Sequence, residues 1–257
     1  MEATEGLVGF LDILGYQNFI DNNSVEKAVD ILSNVFKGLK EAVVNDYRST
    51  WAGPAAANKR FEDVIIQTLS DTIIFHLATP EQDILISDWM TLLQTVRVTQ
   101  RRLFDNGFPS RGTVASGKFF FGDGFLVGKP FMDAYRLTQS LEFAGVVLTS
   151  QTLIRLKADL KKRQKSIQDF VGGVEFLAPL KDGREVKMLC LCPLRRREIG
   201  TEVCRDIAGM VHRAFWQHQK DVPASVDMKI NNTIKFWRFW ICRKEAVKSK
   251  LPISKSP

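Results

Sequence analysis

Residues 6–14, GLVGFLDIL, are an almost unbroken apolar run with a single acid inside it. Such a run predicts a buried strand. A lone carboxylate in a core is costly unless it is paired, protonated or bound to a metal. Asp12 is therefore either a strand-end residue that reaches solvent or a ligand, and any fold for this chain has to explain it.

The 257 residues allow one large domain, or a domain of about 180–200 residues with a helical appendage. We divide the chain at 1–195, 196–248 and 249–257: a core domain, a helical extension packed on it and a disordered tail. No stretch approaches the roughly 20 apolar residues of a membrane span, and the N-terminus has neither a basic n-region nor a small-residue cleavage site. The four cysteines, Cys190, Cys192, Cys204 and Cys242, match no zinc spacing and no disulfide framework. Together these features predict a cytoplasmic protein with reduced thiols. The net charge of +7 is concentrated in 155–165, 193–198 and the tail from 243. It reads as solvated helix faces, with attraction for polyanions as the second reading.

Along the chain, residues 6–14 form the first strand. Ser24 caps a helix whose stripe runs Val25, Ala28, Leu32, Val35, Leu39 and Ala42. Residues 49–60 are a loop. Residues 63–77 read as a hairpin with Ser70 and Asp71 at its turn. Residues 82–106 form a helix, 111–121 a strand entering a second hairpin, and Gly122, Gly124 and Gly128 a flexible connection. A helix over 130–143, a strand at 145–149, a basic helix at 150–169 and strands at 174–178 and 185–192 follow. Beyond about residue 200 the chain is helical again. The order β-α-β-β-α-β, then α-β-α-β-β, predicts an α/β sandwich whose first part is ferredoxin-like, with helices on an antiparallel sheet. In that arrangement the first strand lies beside the hairpin, so Asp12 and Asp71 converge at one sheet end. Two such carboxylates repel unless a cation sits between them, and hard divalent ions, Mg²⁺ or Mn²⁺, suit oxygen ligands and leave positions for phosphate.

With these residues in order, the sequence resembles class III nucleotidyl cyclases. FLDILGY resembles their first metal motif and LSDTIIF the second. RGTVASGK…GKPFMDAYRL resembles the third signature, a glycine before a helix carrying an arginine, and LEFAGVVLTSQTL the strand that follows. The similarity spans roughly residues 6–192. It implies that Asp12 and Asp71, with the carbonyl of Ile13, bind two metal ions. It implies that Arg136 stabilises charge on the α-phosphoryl group, and that backbone N–H groups of Leu14, Gly15 and Tyr16 cradle phosphates. It further implies a homodimer in which the two aspartates come from one chain and Arg136 from the other.

The departures are as informative. Gln67 stands four residues before Asp71, where adenylyl cyclases place a purine-reading lysine, and Phe125 three before Gly128, where they place an aspartate. Met132 replaces the asparagine four before Arg136, with Asp133 beside it. The missing purine code, the bulky Phe125, the absence of a sensor domain and the C-terminal NNTIKFW segment resemble the stand-alone bacterial pyrimidine cyclases of the Pycsar antiphage system. That resemblance implies UTP as substrate, cyclic UMP as messenger and a separate effector that the enzyme does not bind directly. CTP is the alternative substrate, and an inactive cyclase-fold nucleotide-binding module, favoured by Met132, the alternative function. A basic nucleic-acid-binding protein is a third reading. Tyr47 is a further base-contact candidate, and Lys181 and Lys187 are candidates for a phosphate-binding lysine. His76, His212 and His218 read as packing or surface residues, and the aromatic cluster 236–240 as helix packing.

Overall fold

The computed structural model describes residues 2–39, 41–45, 61–79, 83–164, 173–191 and 206–248. Tyr47, Cys192, Cys204, the loop 49–60 and the tail after 248 lie outside them. Strand β1 (Thr4–Ile13) is buried along its last eight residues. It can be so because strands flank it on both sides: β3 (Thr72–Thr79) and β4 (Ser110–Gly122), both antiparallel to it. β2 (Ile65–Leu69) closes the hairpin with β3. The order β2-β3-β1-β4, all antiparallel, is the expected ferredoxin-like core.

The sheet continues through β6 (Val146–Leu148), parallel to β4, then β8 (Glu185–Leu191) and β7 (Val174–Pro179). β5 (Phe125–Gly128) folds back on the far end of β4 and completes the eight-stranded sheet. Gly122 and Gly128, read as parts of a flexible connection, are instead ladder residues of this hairpin, facing Phe125 and Phe119.

Alternation along β1 separates two faces. Leu7, Leu11 and Ile13 pack with Ile73, Phe75 and Leu77 under Trp89, Leu92, Leu93 and Val96 of α3 (Ile86–Asp105). Each large apolar side chain fully buried there contributes about 1.5–3 kcal/mol. A Cβ on Gly9 would lie 2.8 Å from Val96, so only glycine lets α3 approach the strand this closely. α1 (Tyr16–Asp21), α2 (Val25–Phe36) and α5 (Ser150–Lys162) share this side.

On the other face Phe10 and Ala115 meet Ala134 and Phe131 of α4 (Lys129–Ser140). The last helices, α6 (Ile207–Trp216) and α7 (Asp227–Lys248), pack Val211, Phe236, Trp237 and Trp240 on Phe104, Phe143, Val147 and Cys190. The aromatic cluster is therefore core packing, apart from Phe239, which is 38% exposed.

Some expected boundaries shift. The helix that the stripe drew from Val25 to Ala42 ends at Phe36. Lys37 leaves helical ψ and Gly38 takes φ 68, and Val25 at the head of the stripe is exposed. α3 begins at Ile86, where the Asp88 carboxylate accepts from the Leu85 N–H and caps the first turn. α4 stops at Ser140, because Leu141 turns extended and its carbonyl accepts from an arginine.

Candidate active site

Asp12 is the penultimate residue of β1, opposite Thr72 on β3 and Arg111 on β4. The hairpin turn beside it is two residues long, with Ser70 in the left-handed region at φ 56. The Ile13 N–H donates to the Asp71 carbonyl at 2.9 Å, and the Leu14 N–H to the Pro109 carbonyl at 2.8 Å. The structure thus brings both aspartates to one end of the sheet, and a backbone hydrogen bond fixes their relation.

Their environments differ. Asp12 is buried, 6% exposed, whereas Asp71 is half-buried at the turn. Arg111, also buried, donates from Nε to Asp12 Oδ2 at 2.8 Å, and its Nη2 lies 2.8 Å from the same oxygen as an ion pair. Its other donors reach the Leu141 and Gln139 carbonyls and Gln139 Oε1. Burial raises the Asp12 pKa; Arg111 opposes that shift, the Asp71 charge adds to it, and Lys181 lowers it. Asp12 is thus not a strand-end residue that reaches solvent. It is paired, through an arginine 99 residues away on the neighbouring strand.

Gly15, at φ 75, turns the chain from β1 into α1, a conformation that glycine adopts without penalty. Tyr16 begins α1, and its hydroxyl pKa is raised by burial and by the Asp71 charge. The Leu14–Tyr16 turn therefore lies at the same sheet end as both acids. In the β7–β8 turn, Lys181 is exposed, and its pKa is lowered by partial burial and by Arg111 and Lys229, with Glu142 and Asp12 acting the other way. Lys187 is engaged elsewhere, with Glu175 at 2.8 Å. Of the two lysine candidates, Lys181 is the one within the electrostatic reach of Asp12.

The other candidates do not gather here within one chain. Arg136 is exposed on α4, and the charges acting on Asp12 are those of Arg111, Asp71 and Lys181. Met132 is 41% exposed, and Asp133 is paired with Lys129 at 3.1 Å. Gln67 is half-buried on β2, opposite Ile74. Phe125 is 48% exposed, 5.6 Å from the Phe120 ring on the β4–β5 hairpin. The ladder places Phe125 opposite Gly122, at the end of β4 remote from Arg111. His76 is buried against Phe121 with its Nε2 unpaired, and His212 is exposed.

Among the described residues no three His, Cys, Asp or Glu side chains form a metal cage. Two carboxylates and a main-chain carbonyl remain. That set fits a hard ion such as Mg²⁺, which keeps waters and binds through one or two carboxylates plus substrate phosphates. The donors are all oxygen; Arg111 already offsets the Asp12 charge, and the Asp71 charge that still acts on Asp12 is what a further cation would relieve.

Arg111 is the residue that sequence reasoning missed as part of the site. The available signal was an arginine opening an otherwise small and apolar strand, SRGTVASG, the mirror image of the acid in β1.

No family model matches the chain, and no curated protein does either. Among solved structures it is similar to the dimeric guanylyl cyclase domain of the RhoGC fusion protein from the aquatic fungus Blastocladiella emersonii. That match has 17% identity and a TM-score of 0.42, over 61% of this chain and 86% of that one. It is similar to the catalytic core of a rhodopsin-guanylyl cyclase with converted specificity in complex with ATPαS, at 14% identity and a TM-score of 0.44, over 74% and 97%. A bacterial light-regulated adenylyl cyclase matches at 12% identity and a TM-score of 0.42, over 93% of this chain and 57% of that one. Likeness at this level says nothing of substrate or reaction.

Proposed function

We propose that this chain is a nucleotidyl cyclase that converts UTP to 3′,5′-cyclic UMP and pyrophosphate. The observation that carries the reading is the pair Asp12 and Asp71, held side by side at one sheet end by the Ile13–Asp71 hydrogen bond. The cyclase-like motifs around both residues give the pair its chemical meaning.

When bound, two Mg²⁺ or Mn²⁺ ions would lower the pKa of the ribose 3′-hydroxyl and offset triphosphate charge. Asp12, Asp71 and the Ile13 carbonyl are the residues that would hold them. The 3′-oxygen attacks the α-phosphorus in line, the bond from that phosphorus to the α,β-bridging oxygen breaks, and pyrophosphate leaves. The hydroxyl proton passes to solvent. Lys181 and the N–H groups of Gly15 and Tyr16 bind the triphosphate, the Leu14 N–H being already donated to the Pro109 carbonyl, and Arg136 stabilises charge on the α-phosphoryl group.

Arg136 points to solvent on its own chain, which favours delivery to a partner's site in a homodimer. Leu69, Phe125, Val127, Met132 and Tyr135 are all large and exposed, surface that such a dimer would cover. Gln67 and Phe125 lie on elements remote from each other in one chain, and they form a base pocket only across that interface. Phe125 supplies bulk and a stacking surface suited to a pyrimidine. The product would act as a messenger in antiphage defence through a separate effector.

A second reading has its own observation. Met132 stands where the family places an asparagine, and Arg111 already neutralises Asp12, as in a nucleotide-binding module without turnover. Incubating the protein with Mn²⁺ and each of the four NTPs separates them. Cyclic UMP and pyrophosphate from UTP are expected. Cyclic CMP from CTP would reassign the substrate, and no product from any NTP would leave the binding module.

A further inference from the structure

The strongest unexplained feature lies behind the Leu14–Tyr16 turn. α1 has six residues and one buried side chain, Phe19, so it is too short to persist without tertiary support. The segment 217–221, which leaves α6, wraps around it. Asn18 Nδ2 donates to the Asp221 carbonyl. Asn22 Nδ2 donates to the Gln219 carbonyl at 3.0 Å, and Asn23 Nδ2 to the His218 carbonyl at 2.9 Å. His218 stacks on Phe108 at 5.0 Å, and Phe108 meets Phe19 edge-on at 5.1 Å. His218 and Gln219 both sit in the left-handed region, at φ 65 and 57, a backbone cost that the surrounding contacts must hold in place.

Lys220 is the centre of this strap. It is 3% exposed, and among the described residues it pairs with no carboxylate. Its ammonium donates to the Gly107 and Ala214 carbonyls and lies 5.5 Å over the Phe108 ring. Burial pulls its pKa down to about 7. The side-chain stem runs directly beneath Gly15, where a Cβ would sit 3.4 Å from Lys220 Cδ. Gly107 stands two residues before Pro109, whose carbonyl accepts from the Leu14 N–H. Lys220 therefore touches the turn from below and the segment that anchors it from behind.

We infer that Lys220 is a positioning residue for triphosphate binding, and that the 217–221 strap of the C-terminal extension holds the Leu14–Tyr16 turn in its binding conformation. The inference rests on the proposed role of that turn. It assigns the extension a part in the site that the core motifs do not require.

The test uses the full chain with Lys220→Met, which replaces a buried cation by an apolar group of similar length, and Asn22→Ala, an exposed change that cannot disturb the core. Amide hydrogen exchange is followed over 14–23 and, as reference, over β1 and β4. Binding of inorganic tripolyphosphate and steady-state kinetics with UTP are measured in parallel. Exchange over 15–21 is expected to rise by about tenfold or more in both variants, with β1 and β4 unchanged. The tripolyphosphate Kd and the KM for UTP are expected to rise roughly tenfold, while kcat falls by less than about threefold.

Unchanged exchange over 15–21, or a rise shared equally by β1 and β4, would overturn the inference. So would unaltered tripolyphosphate binding. If Lys220→Met does not fold, Asn22→Ala decides alone. If the wild-type protein turns over no NTP, the cyclase reading fails, while exchange and tripolyphosphate binding still decide this one.

Discussion

The two aspartates sit at the same sheet end yet belong to differently built surroundings. Asp12 lies on the central strand, buried, with a buried arginine on its carboxylate and a strapped helix behind the next turn. Asp71 lies on a two-residue hairpin turn between β2 and β3, half-buried, beside exposed Leu69 and Ser70. The Thr72 hydroxyl donates to Asp71 Oδ1 at 3.4 Å. One acid is fixed by the core, and the other is presented by an edge hairpin. The contrast teaches that equal roles in a proposed site need not carry equal roles in the fold.

Substitution should expose that inequality. Asp71→Asn is expected to abolish cyclic UMP formation, by about a thousandfold, in a direct product assay. Normal turnover by this variant would break the proposed pairing. Asp12→Ala should lose activity equally but also cost about 3 kcal/mol in urea unfolding, because it leaves Arg111 buried without its counter-charge. Asp71→Asn should stay within about 0.5 kcal/mol of wild type in the same measurement. Equal stability losses for the two variants would contradict the difference drawn here.

Arg136→Ala is expected to lower kcat by about a hundredfold with no shift in the unfolding midpoint, since its side chain is in solvent. Mixing this variant with Asp71→Asn should restore part of the activity if the two residues meet across a dimer. No recovery in mixed dimers would place Arg136 in its own chain's site or outside any. Ser70→Gly should stabilise the exposed turn by roughly 0.5–1 kcal/mol, by relieving the left-handed backbone that serine holds.

The smallest effect concerns the closed end of the same face. His76 is held by burial at a pKa of about 4, below its ordinary 6.5. A depressed folded-state value gives stability that is present above 6.5 and lost as pH falls through 4. The urea midpoint should therefore fall between pH 7 and pH 4.5, and His76→Phe should flatten that limb.

Much of the site was legible in the chain because its signals are local. An acid inside an apolar run, a second at a polar break between alternating residues, and a glycine after the strand all survive as strand end, hairpin turn and left-handed corner. The ferredoxin-like order was legible too, because element order and short connections leave few ways to pair the strands. The break at Gly38 was not, because a 3–4 spacing continues formally across a residue that leaves the helix. Neither was the partner of Asp12. Arg111 is nearest to it only after β1 and β4 align in register, and nothing in SRGTVASG states which residue of another strand it will face.

By itself, then, the sequence determined the types and order of the elements, the two acids and the turn between them, since periodicity, turn chemistry and the cost of a buried charge act over a few residues. Only the tertiary structure decided that Arg111 neutralises Asp12, that Lys181 and not Lys187 stands near it, and that Lys220 reaches beneath Gly15 from roughly two hundred positions away. Those contacts arise from strand register and from the packing of the last helices, and register and packing are properties of the whole folded chain rather than of any window of it.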